Sequence, residues 1–383
     1  MRPLRPVLLA VAAAGLAACS DQGPVASAPA SAEPAPLLSA APGRAVEGSY
    51  IVVLNEGAGP RSVAAAAGVE PAFVYGAALN GFAAELNGGQ LAALQRDPRV
   101  RYVEENQTVA ATAVPWGLDR IDQHNLPLDG IYSVNTLAPG VSVYVIDTGI
   151  QTAHPAFGGR AANVYDALGG TGQDCNGHGT AVAGVVGSST HGVARGVKLR
   201  GVRVLSCAGS GTTAQSIAGI DWVRVNGVRP AVANISLGGS VSSALNTAVT
   251  NLVNAGVFTA VAVGNGGTSA CNTSPASAAG AYGVGASTPT DNVMSGTNYG
   301  SCLDIYAPGS SIPTTWLNGG TTTLSGSSMA TPHVAGVAAL YLAYNPTASS
   351  TTVANWITSN ATVGVLIGVP PGTANRLLYK ATL

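Results

Sequence analysis

The chain has 383 residues, with 17 basic and 18 acidic side chains and a net charge of −1 at pH 7. This length is enough for two or three domains with a large core. The sparse, balanced charge argues against a surface for nucleic acid or anionic lipid, because both need clustered lysine and arginine. Glycine is abundant, at 50 residues, and aromatic side chains are few, so serine, threonine and asparagine must supply most of the polar surface.

The first 19 residues have the organisation of an export signal. Arg2 and Arg5 form a basic start, and Val7–Ala14 is an apolar run too short to span a bilayer permanently. The sequence Leu16-Ala-Ala-Cys19 that follows resembles a bacterial lipoprotein signal, in which the cysteine becomes the lipidated N-terminus. An ordinary signal peptide with an incidental cysteine is the alternative.

A change in acidic residues divides the rest of the chain. All seven glutamates lie before position 106, and aspartate supplies every acid after it. Residues 20–45 are rich in alanine, proline and serine without hydrophobic periodicity, which predicts a disordered linker. Residues 46–110 then predict the order β-α-β-β-α-β of a small ferredoxin-like α+β domain. Its expected elements are strands Tyr50–Leu54, Phe73–Tyr75, Gly81–Leu86 and Val100–Val103 and helices Ser62–Ala67 and Gln90–Arg96.

Residues 112–383 alternate apolar strand candidates with helix candidates, which predicts an α/β domain whose mostly parallel sheet is covered on both faces. In such sheets functional residues gather where the strands end. The expected elements are strands Val141–Ile146, Val197–Val204, Ala231–Ser236 and Val257–Val263 and helices Ala214–Val225 and Ser243–Asn254.

Three polar residues stand at places where this architecture predicts function. Asp147 follows a strand in Asp-Thr-Gly, and His178 lies in Asn176-Gly-His-Gly-Thr180 before a buried helix candidate. Ser328 opens a long apolar run, where the unpaired N–H groups of a helix start stabilise negative charge. A simple N-cap serine is the alternative for Ser328.

A serine hydroxyl needs a base to become a nucleophile, and a carboxylate orients an imidazole for that task. The chain order Asp147, His178, Ser328 is that of subtilisin. Together with Gly326-Ser-Ser-Met-Ala-Thr-Pro-His333, these motifs resemble subtilisin-type serine proteases across the whole second domain, most closely the proteinase K branch. The resemblance implies a three-layer αβα fold and a secreted serine endopeptidase that acts on proteins and peptides without a catalytic cofactor.

The same resemblance assigns further residues to the site. It implies that the side-chain amide of Asn265 completes an oxyanion hole with the Ser328 N–H, whereas a turn asparagine before glycine is the alternative. Two glycine-rich segments would flank an extended substrate and pair with its main chain. These segments are Gly209-Ser210-Gly211 and Ser236-Leu237-Gly238-Gly239.

Residues 46–110 resemble the inhibitor-type propeptide of these proteases. The precursor is then its own first inhibitor and first substrate, and we expect cleavage between about Val109 and Ala113. A lipid on Cys19 would anchor only the precursor to the membrane, and maturation would release the second domain. We expect this domain to be a monomer.

Four cysteines remain after Cys19, and an even number in an exported chain suggests two disulfides with three possible connectivities. The spacing resembles that of thermophilic and cold-active relatives, which implies Cys175–Cys207 and Cys271–Cys302.

One group of oxygen ligands suggests calcium by its density, and the resemblance implies a second group. The resemblance supports both, and a turn with capping acids is the alternative for the first. The first group is Asp119, Asp122, Gln123 and Asp129, and the second is Asp304 with the carbonyls of Ala279 and Ala281.

Two positions depart from the family pattern. Ala181 replaces a second histidine, and Ser327 replaces the usual threonine before the nucleophile. Neither carries the proton transfer. Two other functional hypotheses remain: an inactive member that only binds peptides, and a hydrolase of small esters. The second is disfavoured because Ala330 stands where a Gly-x-Ser-x-Gly elbow requires glycine.

Overall fold

The structure is a computed structural model that describes residues 33–40, 45–107 and 114–383. The chain divides into two compact units, residues 1–111 and residues 112–383. The export signal, Cys19, most of the expected linker and the expected cleavage region lie outside the described residues. Within the described part, no helix is both long and apolar enough to cross a membrane.

The first unit has the β-α-β-β-α-β order that its sequence predicts, with one extra strand before it. Its five-stranded sheet has the order β1-β5-β2-β4-β3, in which only β1 and β5 are parallel. The elements are β1 Leu37–Leu38, β2 Ala45–Leu54, α1 Pro60–Ala66, β3 Phe73–Tyr75, β4 Gly81–Glu85, α2 Gly88–Arg96 and β5 Val100–Gln107.

The extra strand β1 corrects one expectation, because it lies inside the segment assigned to a disordered linker. Leu37 and Leu38 pair with β5, and the Val103 N–H donates to the Pro36 carbonyl at 2.9 Å. Ala35 is buried and exchanges hydrogen bonds with Gln95. Composition could not reveal this strand, because it is ordered by the open edge of β5 and not by its own periodicity.

The second unit is built around a nine-stranded sheet of order β17-β18-β14-β13-β11-β9-β6-β8-β7. All neighbouring strands are parallel except β17 and β18. The helices are α3 Trp116–Asp122, α4 His178–Gly187, α5 Thr213–Asn226, α6 Ser243–Asn254, α7 Ser327–Tyr344 and α8 Ser350–Asn360. The strands are β6 Ser142–Asp147, β7 Ala161–Asp166, β8 Lys198–Arg203, β9 Ala231–Ile235, β10 Gly239–Ser240, β11 Phe258–Ala262, β12 Thr273–Ser274, β13 Tyr282–Ser287, β14 Ile305–Pro308, β15 Ile312–Thr315, β16 Thr321–Leu324, β17 Thr362–Val363 and β18 Arg376–Leu377.

The sheet of the second unit separates two hydrophobic cores. Along β6, Val143 and Val145 join the core under α4 and α7, whereas Tyr144 and Ile146 join the core under α5 and α6. Side chains that alternate between two buried faces explain why the strand is an unbroken apolar run. The result is the three-layer αβα arrangement that the sequence predicts.

Candidate active site

Asp147 and His178 meet at the carboxyl end of the sheet. Asp147 ends β6 and is fully buried, and the neighbouring Thr148 N–H donates to its Oδ1 at 2.7 Å. His178 is the first residue of α4, and its Nδ1 lies 2.8 and 2.9 Å from the two oxygens of Asp147. The carboxylate therefore fixes the imidazole by its Nδ1 atom and leaves Nε2 to face other partners.

The charge of Asp147 raises the pKa of His178 above its ordinary value, and their hydrogen bond acts in the same direction. Burial of the ring opposes this effect, while Asp174 adds a further, smaller increase. The His178 side chain keeps about 29% of its surface exposed, so a substrate can reach it. A raised pKa makes this imidazole a stronger base than a free histidine.

Asp174, which the sequence analysis missed, joins the loops on both sides of this pair. Its Oδ1 accepts hydrogen bonds from the Thr148 hydroxyl at 2.9 Å and from the Gly177 N–H at 2.9 Å. Its Oδ2 accepts from the hydroxyl and the N–H of Thr180, in the first turn of α4. Asp174 is only 7% exposed. The available signal was an aspartate four residues before His178, at a glycine-rich turn leading into a helix.

Ser328 is the second residue of α7, so the N-cap interpretation is wrong: Gly326 is the N-cap residue. The Ser328 N–H belongs to the first turn and has no partner within the helix. Its hydroxyl donates to the Ser236 carbonyl at 3.1 Å, and the Ser236 hydroxyl donates to the Ser328 carbonyl at 3.0 Å. Proton transfer to His178 therefore requires the first of these bonds to break, and such bonds commonly rearrange when substrate binds.

The side chain of Asn265 lies beside the start of α7. Its Oδ1 accepts the Ser327 N–H at 2.8 Å, which fixes the orientation of the amide. The Nδ2 group is thereby left as the donor, and Asn265 lines one cavity together with Ser328. Asn265 and Ser328 thus lie together, and the role of Asn265 as an oxyanion donor stays a prediction.

Two cavities meet along the glycine-rich segments named in the sequence. The larger, about 630 Å³, runs past His178 between Gly209-Ser210-Gly211 and Ser236-Leu237-Gly238-Gly239. The smaller, about 330 Å³, contains Ser328 and Asn265 and shares the second segment. Both segments therefore border the groove, as expected.

Two glycines of these segments are suited to their positions for different physical reasons. A Cβ on Gly211 would lie 2.4 Å from the Val204 carbonyl oxygen, so packing alone excludes a side chain there. Gly239 has no atom within 4 Å of such a Cβ, so its open surface is free for a substrate backbone.

The first expected calcium group is only partly assembled. Asp119 is 3% exposed, and its Oδ1 has no hydrogen-bond partner among the described residues. Burial raises the pKa of Asp119, and the nearby charge of Asp129 adds to the increase. Gln123 Oε1 accepts the Asp129 N–H at 3.1 Å. Asp122 is directed elsewhere, because its Oδ1 forms an ion pair with Lys380 at 2.7 Å.

The second expected group surrounds Asp304. In the described part of the chain, Asp304 belongs to no group of three or more aspartate, glutamate, histidine or cysteine side chains that could hold a metal ion. Burial raises the pKa of Asp304, although the Gly283 N–H donates to its Oδ2 at 2.7 Å. The Ala279 carbonyl accepts the Thr250 hydroxyl at 3.0 Å, and Ala281 is half-buried nearby in sequence.

The four cysteines form the two disulfides that the resemblance implied. Cys175–Cys207 joins the loop before His178 to the segment before Gly209, with Cα atoms 4.9 Å apart. Cys271–Cys302 has Cα atoms 5.2 Å apart.

Comparison with known protein families identifies the family of this chain. Residues 138–377 match the model of the Subtilase family, and residues 64–112 match the model of Peptidase inhibitor I9. The chain belongs to the subtilase family. This subtilase is 48% identical over 397 residues to an extracellular serine proteinase of Thermus sp. (strain Rt41A), covering 95% of this chain and 96% of that protein.

Two further relatives extend the comparison. Alkaline serine exoprotease A of Vibrio alginolyticus is 49% identical over 321 residues, which cover 81% of this chain and 60% of that protein. The crystal structure of a cold-adapted subtilisin-like serine proteinase superposes with a TM-score of 0.69 at 49% identity, covering 71% of this chain and 99% of that chain.

Proposed function

We propose that this subtilase is a secreted serine endopeptidase in which Ser328 is the nucleophile, His178 the general base and Asp147 its orienting carboxylate. The observation that carries the proposal is the paired contact of His178 Nδ1 with both oxygens of the buried Asp147. Because Asp147 holds Nδ1, Nε2 is the ring nitrogen that is left to accept the serine proton. An extracellular serine proteinase among the relatives supports both the reaction and the secretion.

The reaction proceeds in two stages, in which the Ser328 oxygen is first acylated and then deacylated. The Ser328 oxygen attacks the scissile carbonyl while its proton passes to His178 Nε2, and the carbonyl π electrons move onto the oxygen. The Asn265 Nδ2 group and the Ser328 N–H donate hydrogen bonds to that oxyanion. The oxyanion electrons then re-form the carbonyl, the C–N bond breaks, and the His178 imidazolium gives its proton to the leaving amine. In the second half, water attacks the acyl carbonyl while His178 takes its proton, and the ester bond to Ser328 breaks as the imidazolium returns that proton to the Ser328 oxygen.

Two measurements, made on wild type and on two variants, test this assignment. A serine-directed phosphonyl fluoride should label wild type at Ser328, and casein should be cleaved. Ser328→Ala should lose both the label and the cleavage, whereas Ser325→Ala, at an exposed serine in the preceding turn, should keep both. Labelling that persists in Ser328→Ala, or casein cleavage at the wild-type rate, contradicts the mechanism.

The same assay separates the two alternative functions. An inactive peptide-binding member would bind casein fragments without label or cleavage. A hydrolase of small esters would be labelled but would leave casein intact. The groove bordered by two glycine-rich segments favours a long peptide substrate, because an extended chain uses such open backbone for hydrogen bonds.

The first unit supports the proposal that the protein is made as a zymogen. Its match to the peptidase inhibitor model ends at residue 112, inside the range Val109–Ala113 where we propose that Ser328 cuts its own chain. N-terminal sequencing of the purified active enzyme should begin within this range, and Ser328→Ala should stay uncut. An active wild-type enzyme that still begins at residue 46 or earlier contradicts self-processing. Lipid attachment at Cys19 would appear as fatty-acid labelling of the precursor that Cys19→Ala removes.

Calcium is proposed as a stabilising ion. The residues fit it at Asp119 and Asp129, because a cation would satisfy the unpartnered Asp119 oxygen and relieve the repulsion between the two carboxylates. Gln123 would add an amide oxygen. Asp122 would stay with Lys380. At the second site, Asp304 and the carbonyls of Ala279 and Ala281 would hold the ion. Calorimetric titration of the phosphonyl-inactivated enzyme with calcium checks both sites.

A further inference from the structure

Asn298 lies beneath the loop that carries Asn265. It belongs to the segment between β13 and β14 and is only 2% exposed. Its Oδ1 accepts hydrogen bonds from the N–H groups of Gly266 at 3.0 Å and Thr268 at 3.1 Å. These bonds hold the backbone that follows Asn265.

The same residue also holds the backbone that precedes Asn265. Its Nδ2 donates to the Val263 carbonyl at 2.8 Å, and its own N–H donates to the Gly264 carbonyl at 3.0 Å. Gly264 has a φ of +99°, and a Cβ on it would lie 2.7 Å from the Nδ2 of Asn298. The side chain of Asn298 is thus packed directly against the loop, and its hydrogen bonds to Val263, Gly266 and Thr268 all go to the loop backbone.

The loop needs such support because of its composition. Gly264 has a positive φ, and so does Gly267 at +64°, so the backbone around Asn265 is free to adopt many conformations when unfastened. A donor in an oxyanion hole stabilises the transition state only if it is held in place before the charge develops. A functional side chain on a loop must be held to within about 0.5 Å to act well.

We propose that Asn298 is the positioning residue of the oxyanion hole, because its single side chain fastens the chain on both sides of Asn265. Asn298 acts through Asn265 and does not touch the reacting atoms. This inference rests on the proposed role of Asn265 as oxyanion donor. The Ser327 N–H also holds the Oδ1 atom of Asn265, so the side chain of Asn265 and its backbone are fixed from two directions.

A double-mutant cycle with Asn265→Ala and Asn298→Ala tests the proposal. Removal of one oxyanion donor from a subtilisin lowers kcat by about 10²–10³-fold, and we expect this for Asn265→Ala. Misplacement of a group by about 1 Å costs about 10²-fold, which we expect for Asn298→Ala alone. In the Asn265→Ala background, Asn298→Ala should lower kcat by no more than about 2-fold, because the donor that it positions is gone.

The rates are measured with a chromogenic peptide and divided by the active sites that phosphonyl fluoride titrates, so that misfolded enzyme does not count. Because Asn298 also lines the cavity with Ser328, KM is recorded separately from kcat. A peptide aldehyde, whose adduct with the serine carries the oxyanion-like oxygen, should bind Asn298→Ala about 10²-fold more weakly, in step with kcat. A product peptide should keep its affinity.

The matched control is Asn375→Ala. Asn375 also clamps a loop with its amide, through two bonds to the backbone of Leu366, but it lies outside the site. It should keep the wild-type kcat. Equal kcat losses from Asn298→Ala in both backgrounds, or an unchanged kcat in Asn298→Ala alone, would overturn the positioning role. An unchanged kcat in Asn265→Ala would instead refute the proposed oxyanion donor itself.

Discussion

Replacing His333 by glutamine tests how much of the acid sensitivity of this subtilase comes from one buried imidazole. His333 lies in α7, five residues after Ser328, and is only 1% exposed. Burial lowers the pKa of His333 from 6.5 to about 4, because the imidazolium loses its hydration. A hydrogen bond from Nδ1 to the Met329 carbonyl, at 2.9 Å, offsets part of this effect.

The sign and size of the effect follow from these two pKa values. Because the pKa of His333 is lower in the folded chain than in the unfolded chain, protons bind the unfolded chain more readily. The neutral form contributes its full stability above pH 6.5, and this stability is lost as pH falls towards 4. At about 1.36 kcal/mol per pH unit the whole loss is roughly 3 kcal/mol, of which roughly 2 kcal/mol falls between pH 7 and pH 5.

The assay is urea unfolding of phosphonyl-inactivated enzyme, followed by tryptophan fluorescence at pH 7 and at pH 5. Inactivation prevents self-digestion during the measurement. In wild type the free energy of unfolding should fall on acidification by roughly 2 kcal/mol more than in His333→Gln. His124→Gln, at an exposed histidine, should behave like wild type. If His333→Gln and wild type lose the same stability between the two pH values, the reasoning from burial is refuted.

Three further predictions concern other parts of the second unit. Asp174→Asn should move the acid limb of the kcat/KM profile to lower pH, because Asp174 raises the pKa of His178; an unmoved limb contradicts this. Gly179→Ala should cost about 1–3 kcal/mol or more, because its Cβ would lie 2.1 Å from a backbone oxygen, whereas Gly140→Ala, with open space, should stay within about 0.5 kcal/mol in urea unfolding. Asp119→Asn should reduce the rise in thermal midpoint that calcium gives over EDTA, and an undiminished rise would remove Asp119 from the ion site.

Local pattern was enough to predict most of the fold. The strand β6 lies within one residue of its expected bounds, and α6 occupies the expected residues Ser243–Asn254. Both are long apolar or amphipathic segments bounded by turn residues, and such segments carry their own signal. The three motifs that we propose to be catalytic are equally local, because each places its residue at the end of a strand or the start of a helix.

The parts that sequence did not predict depend on contacts between distant segments. Nothing beside Asn298 in the sequence shows that its amide reaches Val263 and Gly266. The ion pair of Asp122 with Lys380 likewise joins the two ends of the second unit, so the aspartate looked like a metal ligand when only its neighbours were considered. Such pairings are decided by tertiary packing and leave no local pattern.

The short strand β1 also bears on how the precursor behaves outside its native setting. A strand with unpaired N–H and C=O groups is a template for pairing with another molecule. With Leu37 and Leu38 in place, β5 has neighbours on both sides. A precursor shortened to begin at residue 45 would expose the edge of β5 at Val103 and Glu104, just before the region where we propose that the chain is cut. Loss of these few residues would therefore favour aggregation of the precursor in edge-to-edge stacks.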